Sequence, residues 1–330
     1  MGYSGCIARD AHAPMNHPTL VVYKSTVVCV GVLLLVGLGC ALLPLVGGGY
    51  VVTLAFFLWV FIALAESYNL VGGYLGYMNL GHSSFLGVSA YAFAILYAGG
   101  TPFVWAWLAG AMAAIGFAAA ISVPLFRLRG AYFAVVSFGL ITLLELLAHN
   151  FSRVTGGAAG LSLPPGDRLI AAYYVSLAVA AASIGLVALA GRSRLGLALM
   201  SLREDEEAAA VFGVHGFRFK ALALILSALP PGLIGGVYAW QLTYINPATV
   251  FGLEIALLPI VMAMLGGVGH VWGPVIGALF ITCVEELLWT KMPYLHLTTY
   301  GIILLLVGFY LPGGLIRLRW LARLFSTGQA

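Results

Sequence analysis

An all-α, polytopic membrane bundle of about ten transmembrane helices is the fold this chain predicts, and three observations carry that reading. Of its 330 residues, 62% are hydrophobic and only 8% are charged, whereas an ordinary soluble domain carries about 25% charged residues. The mean hydropathy is +1.05, and the apolar residues run in long continuous stretches, not in the alternating segments of about ten residues that a β-barrel needs. There are also 42 glycines, and small residues let membrane helices approach closely. Too little polar surface exists to coat such a chain in water, which excludes a soluble enzyme, a nucleic-acid binder and a disordered protein. The lipid bilayer is its solvent.

Residues 1–25 are polar and read as a cytoplasmic N-terminal segment. The first apolar run, 26–45, is too long for a signal-peptide core and lacks an A-x-A-like cleavage site, so it reads as a retained first helix. Further spans are expected at 50–66, 81–98, 103–126, 130–150, 171–190, 219–240, 253–268, 272–290 and 298–311. Residues 26–315 thus form one membrane domain and 316–330 a cytoplasmic tail. The two longest loops are 151–170, rich in Gly and Pro, and 191–218, on opposite sides.

Ten spans place both termini on one side, together with Arg9, Lys24, Arg127, Arg129, Arg192, Arg194, Arg203, Arg218, Lys220, Arg317, Arg319 and Arg323. The other side holds Arg153, Arg168 and Lys291. This twelve-to-three split of the 15 cations puts both termini and loop 191–218 in the cytoplasm.

Several chemistries have no sequence signal. No GxxxxGK[ST] loop exists, since Lys24, Lys220 and Lys291 follow Tyr, Phe and Thr. HExxH and CxxC are missing, and the seven histidines are scattered without metal-ligand spacing. No catalytic residue, metal site or cofactor is expected. Cys6, Cys29, Cys40 and Cys283 show no disulfide framework and read as small buried hydrophobes. Glu66, Glu145, Glu254, Glu285 and Glu286 are the acids near membrane depth. Most lie close to expected helix ends and read as interface-level carboxylates. Glu145 and Glu285 are the better pathway candidates. No charged pair sits clearly at mid-span, which weakens a proton-coupled carrier.

Residues 192–220 hold nine of the chain's 26 charges: Arg192, Arg194, Arg203, Glu204, Asp205, Glu206, Glu207, Arg218 and Lys220. Ser201 followed by Glu204 matches a capping box. The acids fall in the first turns of a short helix, where its dipole favours them, and Gly213 suits the C′ position. Leu202, Ala209 and Phe212 form an apolar edge. Such a helix serves either as a docking element for a partner or as a solvated linker.

Gly72, Gly73, Gly76 and Gly81 are too dense for an uninterrupted helix. Unpaired backbone at membrane depth is tolerated only inside protein or against water. Residues 66–82 are therefore expected to form a discontinuous segment facing the bundle interior, and 266–273 a second break. Paired breaks of this kind mark transport pathways; plain small-residue helix packing is the other reading.

The run Glu207-Ala208-Ala209-Ala210-Val211-Phe212-Gly213 resembles the EAAxxxG loop of ABC-importer permeases. The fuller GLALMSLREDEEAAAVFGV resembles, more narrowly, the branched-chain amino-acid importer permeases of the LivH/LivM type. Asn69-Leu70-Val71-Gly72-Gly73 with Gly76, Asn79, Gly81-His82 and Phe85 is similar to the same family. So are Leu128-Arg129-Gly130-Ala131-Tyr132-Phe133-Ala134, Thr155-Gly156-Gly157 with Gly160-Leu161, and Gly266-Gly267 with Gly269 and Trp272-Gly273-Pro274. The similarity covers about residues 50–315.

The resemblance implies a bacterial inner-membrane permease that carries branched-chain amino acids or a related small solute such as urea or a short amide. It implies no ATP hydrolysis by this chain. Two cytoplasmic ATPase subunits would engage Arg203, Glu204, Asp205, Glu207, Ala208, Ala209, Phe212 and Gly213. A second, similar permease subunit would complete a pathway lined by the broken segments. A periplasmic solute-binding protein would dock on Thr155, Gly156, Gly157, Gly160 and Leu161. The rival classes are a secondary carrier or channel without an ATPase and a membrane assembly subunit without a pathway.

Overall fold

The computed structural model describes residues 39–45, 47–128, 130–291 and 314–317. Seven helical stretches in it are long and apolar enough to cross a membrane: Gly49–Leu75, Leu80–Ala98, Phe103–Leu125, Ala131–Asn150, Leu169–Arg192, Gly216–Leu242 and Pro247–Gly266. Of the other three expected spans, 272–290 is helical over Gly273–Lys291. Only 39–45 of the first is described, and 298–311 lies outside the described residues.

In chain order, α1 (Gly49–Tyr68) runs without interruption into a π-helical segment, Asn69–Leu75, that ends at left-handed Gly76. A short 3-10 turn, Leu80–His82, then leads into α2 (Ser83–Ala98). The next helices are α3 (Phe103–Leu125), α4 (Ala131–Asn150), the single turn α5 (Ser152–Thr155) and α6 (Leu169–Arg192). The chain continues through α7 (Arg194–Glu204), α8 (Glu206–Val211) and α9 (Gly216–Leu242). After α10 (Pro247–Phe251) come α11 (Leu253–Gly266) and α12 (Gly273–Lys291). The all-helical bundle holds one two-residue strand pairing. Residues Leu161–Ser162 (β1) pair antiparallel with Tyr244–Ile245 (β2), with Leu161 opposite Ile245.

Helix α9 is the hub, packing on α2, α3, α1 and α6. Its small residues permit this. A Cβ on Gly235 would stand 2.5 Å from the Leu86 carbonyl of α2, closer than packed atoms tolerate, so only Gly lets the two backbones meet. Pro230 and Pro231 sit inside α9 and lack the N–H that would bond the carbonyl four residues earlier. The carbonyl thereby released by Pro231 is that of Ser227, and the Ser67 hydroxyl of α1 donates to it at 2.6 Å. The hub is thus pinned to α1 at the point where its own ladder is interrupted.

Burial differs sharply among the spans. Two thirds of the apolar window of α9 (67%) is inside the protein, but only 22% of that of α4. The rest of α4 presents Tyr132, Val135, Val136, Leu143 and Leu146 outward. Cys283 is exposed on α12 and Cys40 half-buried, so these two are not the fully buried hydrophobes expected; Cys6 and Cys29 lie outside the described residues.

Candidate functional site

The two glycine-rich breaks meet each other, and one asparagine joins them. Asn69, fully buried, opens the π-helical segment. Its Oδ1 accepts from the Gly269 N–H at 2.8 Å, and its Nδ2 donates to the His270 carbonyl at 3.0 Å and to Glu66 Oε2 at 3.4 Å. Backbone groups that a helix would have satisfied at 269 and 270 are satisfied instead by a side chain from 200 residues away. Gly73 is where the two breaks touch. A Cβ there would collide with Asn69 Oδ1 and stand 2.5 Å from the Gly269 nitrogen. Gly266 lies in the same way against the backbone of Gly273 and Gly277, and Gly267 lies beneath Gly314. Gly72, by contrast, faces the Tyr68 ring of its own helix.

Downstream of the first break, Asn79 accepts from the Gly81 N–H at 3.0 Å, starting the 3-10 turn. Gly81 packs on the Ser137 carbonyl of α4, and Ser137 Oγ accepts from the Leu80 N–H at 3.2 Å. His82, Ser83 and Ser84 are fully buried, and Phe85 packs edge-on to Phe117. Among the described residues, His82 Nε2, the Ser83 and Ser84 hydroxyls, Asn79 Nδ2 and Glu66 Oε1 have no hydrogen-bond partner in the protein. Residues 66–84 therefore concentrate polar groups inside an apolar bundle, and the chain stays helical to Leu75, so the discontinuity expected over 66–82 narrows to 76–79.

Glu66 corrects an expectation. The sequence places the end of the span at Glu66, which would make it an interface-level carboxylate. The helix continues through the π-helical segment to Leu75, which carries Glu66 inward to 0% exposure. Glu145 and Glu285, the favoured pathway acids, are only partly buried, and Glu254 is exposed.

The 191–218 loop folds onto the same break. The expected capping box does not form, because Ser201 Oγ bonds back to the Ala198 carbonyl at 2.8 Å. Asp205 takes extended backbone instead and accepts from the Glu207 and Ala208 N–H groups at 2.9 and 3.0 Å. One helix becomes two. The break turns Phe212 away from Leu202 and Ala209. Those two are buried, at 4% and 5% exposure, while Phe212 and Val211 are exposed, at 87% and 85%. The expected apolar edge is therefore an inward Leu202–Ala209 pair and a separate outward tip. Glu204, Asp205, Glu207 and Ala208 are exposed. Gly213 has φ of +85°, the conformation of a C′ residue.

Two charged groups fasten this loop. Arg203 Nη1 donates to the Gly73 carbonyl at 2.5 Å. Lys220, at the start of α9 and 2% exposed, pairs with Glu206 Oε1 at 2.6 Å. It also donates to the Tyr77 hydroxyl at 2.8 Å and lies 4.8 Å from the centre of that ring. Lys220, Glu206 and Tyr77 were not singled out as site residues. The charge density of 192–220 is the sequence signal for Glu206 and Lys220, and Tyr77 carries none.

The opposite end is built differently. Thr155 Oγ1 donates to the Ala148 and Phe151 carbonyls at 2.5 and 2.9 Å and accepts from the Gly157 N–H at 3.3 Å. Gly156 is left-handed. Gly160 packs on the Ile245 carbonyl, beside the Leu161–Ile245 pairing. Arg168 sits 5.3 Å from the Tyr97 ring centre and 5.6 Å from that of Trp240, and it donates to the Pro164 carbonyl.

Residues 50–308 match the family described as branched-chain amino acid transport system / permease component. Among similar chains is the high-affinity branched-chain amino acid transport system permease protein LivM of Salmonella typhimurium, 28% identical over 305 residues, covering 82% of this chain and 71% of that protein. LivM of Escherichia coli is 29% identical over 291 residues, 78% of this chain and 68% of its own. The LivH permease protein of the Salmonella system is 25% identical over 281 residues, 77% of this chain and 90% of its own. No solved structure matches the chain.

Proposed function

Since the chain belongs to the family of branched-chain amino acid transport system permease components, and is thus a membrane permease subunit of an ABC importer, we propose that it carries a branched-chain amino acid through a pathway shared with a second, similar permease subunit. The names of its LivM and LivH relatives favour branched-chain amino acids over urea or short amides. The match to both LivM and LivH favours an unlike partner over a second copy. The poorly buried face of α4, with Glu145 upon it, is suited to face that partner and the pathway.

In this reading the chain crosses the bacterial inner membrane ten times with both termini inside. Two ATPase subunits bind the end bearing α7 and α8. A periplasmic solute-binding protein docks on the 155–161 end and delivers the solute. ATP-driven closure displaces α7 and α8 and shifts the bundle between outward- and inward-open states. Specificity rests mainly with the binding protein. The chain itself hydrolyses no ATP.

One observation carries the coupling: α8 ends in an exposed apolar tip, Val211–Phe212, directly before left-handed Gly213, on a loop otherwise rich in charge. A solvated linker has no need of such a tip. A Cβ on Gly213 would meet nothing within 4 Å, so its surroundings leave room for a partner. Phe212→Glu is expected to abolish copurification of the ATPase subunits and ATP-dependent uptake, with normal membrane insertion. Full uptake by Phe212→Glu would defeat the reading.

A further inference from the structure

We propose that Arg203 is the positioning residue through which the interior helix pair moves the broken membrane helix, with the Lys220–Glu206–Tyr77 clasp holding the two in register. The inference rests on the reading that α7 and α8 receive force from ATPase subunits, and it names the route by which that force reaches the pathway.

The route begins with a carbonyl lacking its helical donor. In a regular α-helix the Gly73 carbonyl would accept from the N–H of Tyr77, four residues on. In the π-helical turn the Tyr77 N–H bonds the Val71 carbonyl instead, at 3.2 Å, as does that of Gly76. The Gly73 carbonyl is left open to another donor, and Arg203 Nη1 takes it. Charge-assisted bonds of this kind are stronger than neutral ones.

The same guanidinium lies against the second break. A Cβ on Gly269 would stand 3.6 Å from Arg203 Nη1 and 3.6 Å from the Gly73 oxygen. At Gly76 a Cβ would stand 2.8 Å from Arg203 Cγ, so the arginine stem crosses a position where a side chain would obstruct it. One side chain from the last turn of α7 thus bonds the first glycine break and lies beside the second, which Asn69 already ties to it.

A single contact could pivot. The second fastening lies four residues along the same segment, where Tyr77 receives Lys220 and hydrogen-bonds Glu206, the first residue of α8. Attachment at both Gly73 and Tyr77 prevents the helix pair from swinging about either point alone. The interior loop therefore has two separate faces. Val211 and Phe212 point out toward a partner, and Arg203 with Glu206 grips the broken helix. Arg203 is exposed overall, and its guanidinium holds the Gly73 carbonyl.

The test uses the complete complex in proteoliposomes: this chain, its partner permease, two ATPase subunits, the binding protein and labelled solute. Uptake and ATP hydrolysis are read on the same vesicles, per inserted complex. In Arg203→Gln the uptake per ATP hydrolysed is expected to fall about tenfold or more, whatever the change in hydrolysis itself. Arg203→Lys, which keeps the charge, is expected to recover part of that ratio. Glu206→Gln loosens only the second fastening and is expected to lose less.

An unchanged uptake-to-hydrolysis ratio in Arg203→Gln would overturn the proposal. So would a proportional fall of both activities, which marks a merely structural role. If Arg203→Gln does not accumulate, Arg203→Lys decides by the same ratio. Failure of the wild-type chain to retain ATPase subunits would instead refute the docking reading and leave the grip on Gly73 to be judged separately, by whether Arg203→Gln lowers the uptake of the wild-type assembly.

Discussion

The two ends of this bundle are fastened by different chemistry. At the end bearing α7 and α8, charged side chains do the holding: Arg203 on a backbone carbonyl and Lys220 between Glu206 and Tyr77. At the other end the backbone does most of it, through the β1–β2 pairing, the Thr155 hydroxyl and left-handed Gly156, with Arg168 laid against two aromatic rings. Side-chain fastenings can exchange partners without refolding a segment, whereas a backbone ladder must be broken to move. The contrast suits the proposed roles, a tip end that shifts as a unit and an opposite end that keeps its shape.

The contrast can be broken by substitution. The largest effect is expected at Lys220. Lys220→Met removes the buried cation that bonds both Glu206 and Tyr77, each bond to a charged group being worth about 1.5–3 kcal/mol. Thermal unfolding in detergent checks this, and a change near zero would show that the clasp holds nothing. Asn69→Leu comes next, because it strands the Gly269 N–H and the His270 carbonyl. About 1–3 kcal/mol is expected for a buried group left unpaired, measurable in the same unfolding assay, along with faster proteolysis at 266–273. Arg168→Ala should be milder, about 1–2 kcal/mol for the lost cation–π contacts, with uptake retained. An Arg168→Ala loss larger than that of Lys220→Met would invert the comparison. Ser162→Cys should leave stability unchanged. Ser162 is the exposed residue of β1, and the thiol introduced there should react with an impermeant reagent in intact cells. Labelling only after lysis would reverse the orientation.

Much of this architecture was legible in the residues, and the parts that were not share a cause. Glycine density announced the first break, because clustered Gly weakens any helix whatever surrounds it. That the second break would receive the Asn69 side chain was not legible, since the partners are 200 residues apart. At 201–205 two local caps competed. Ser201 matched the familiar pattern, but Asp205 satisfies two backbone N–H groups at once, and the resulting break re-aimed Phe212. Glu66 was misplaced because a π-helical turn lets glycines continue a span that seemed to end. Lys220 was counted as one cation among those orienting the bundle, and no local pattern marks it as buried in a clasp.

The most direct test of the central claim, that the Val211–Phe212 tip couples this permease to ATP hydrolysis, is site-specific photo-cross-linking from position 212 in intact cells. The account predicts a covalent adduct between this chain and an ATPase subunit, and no adduct when the photoreactive residue is placed at Ser162. An adduct from position 212 to the binding protein or to lipid, with none to an ATPase subunit, would contradict it.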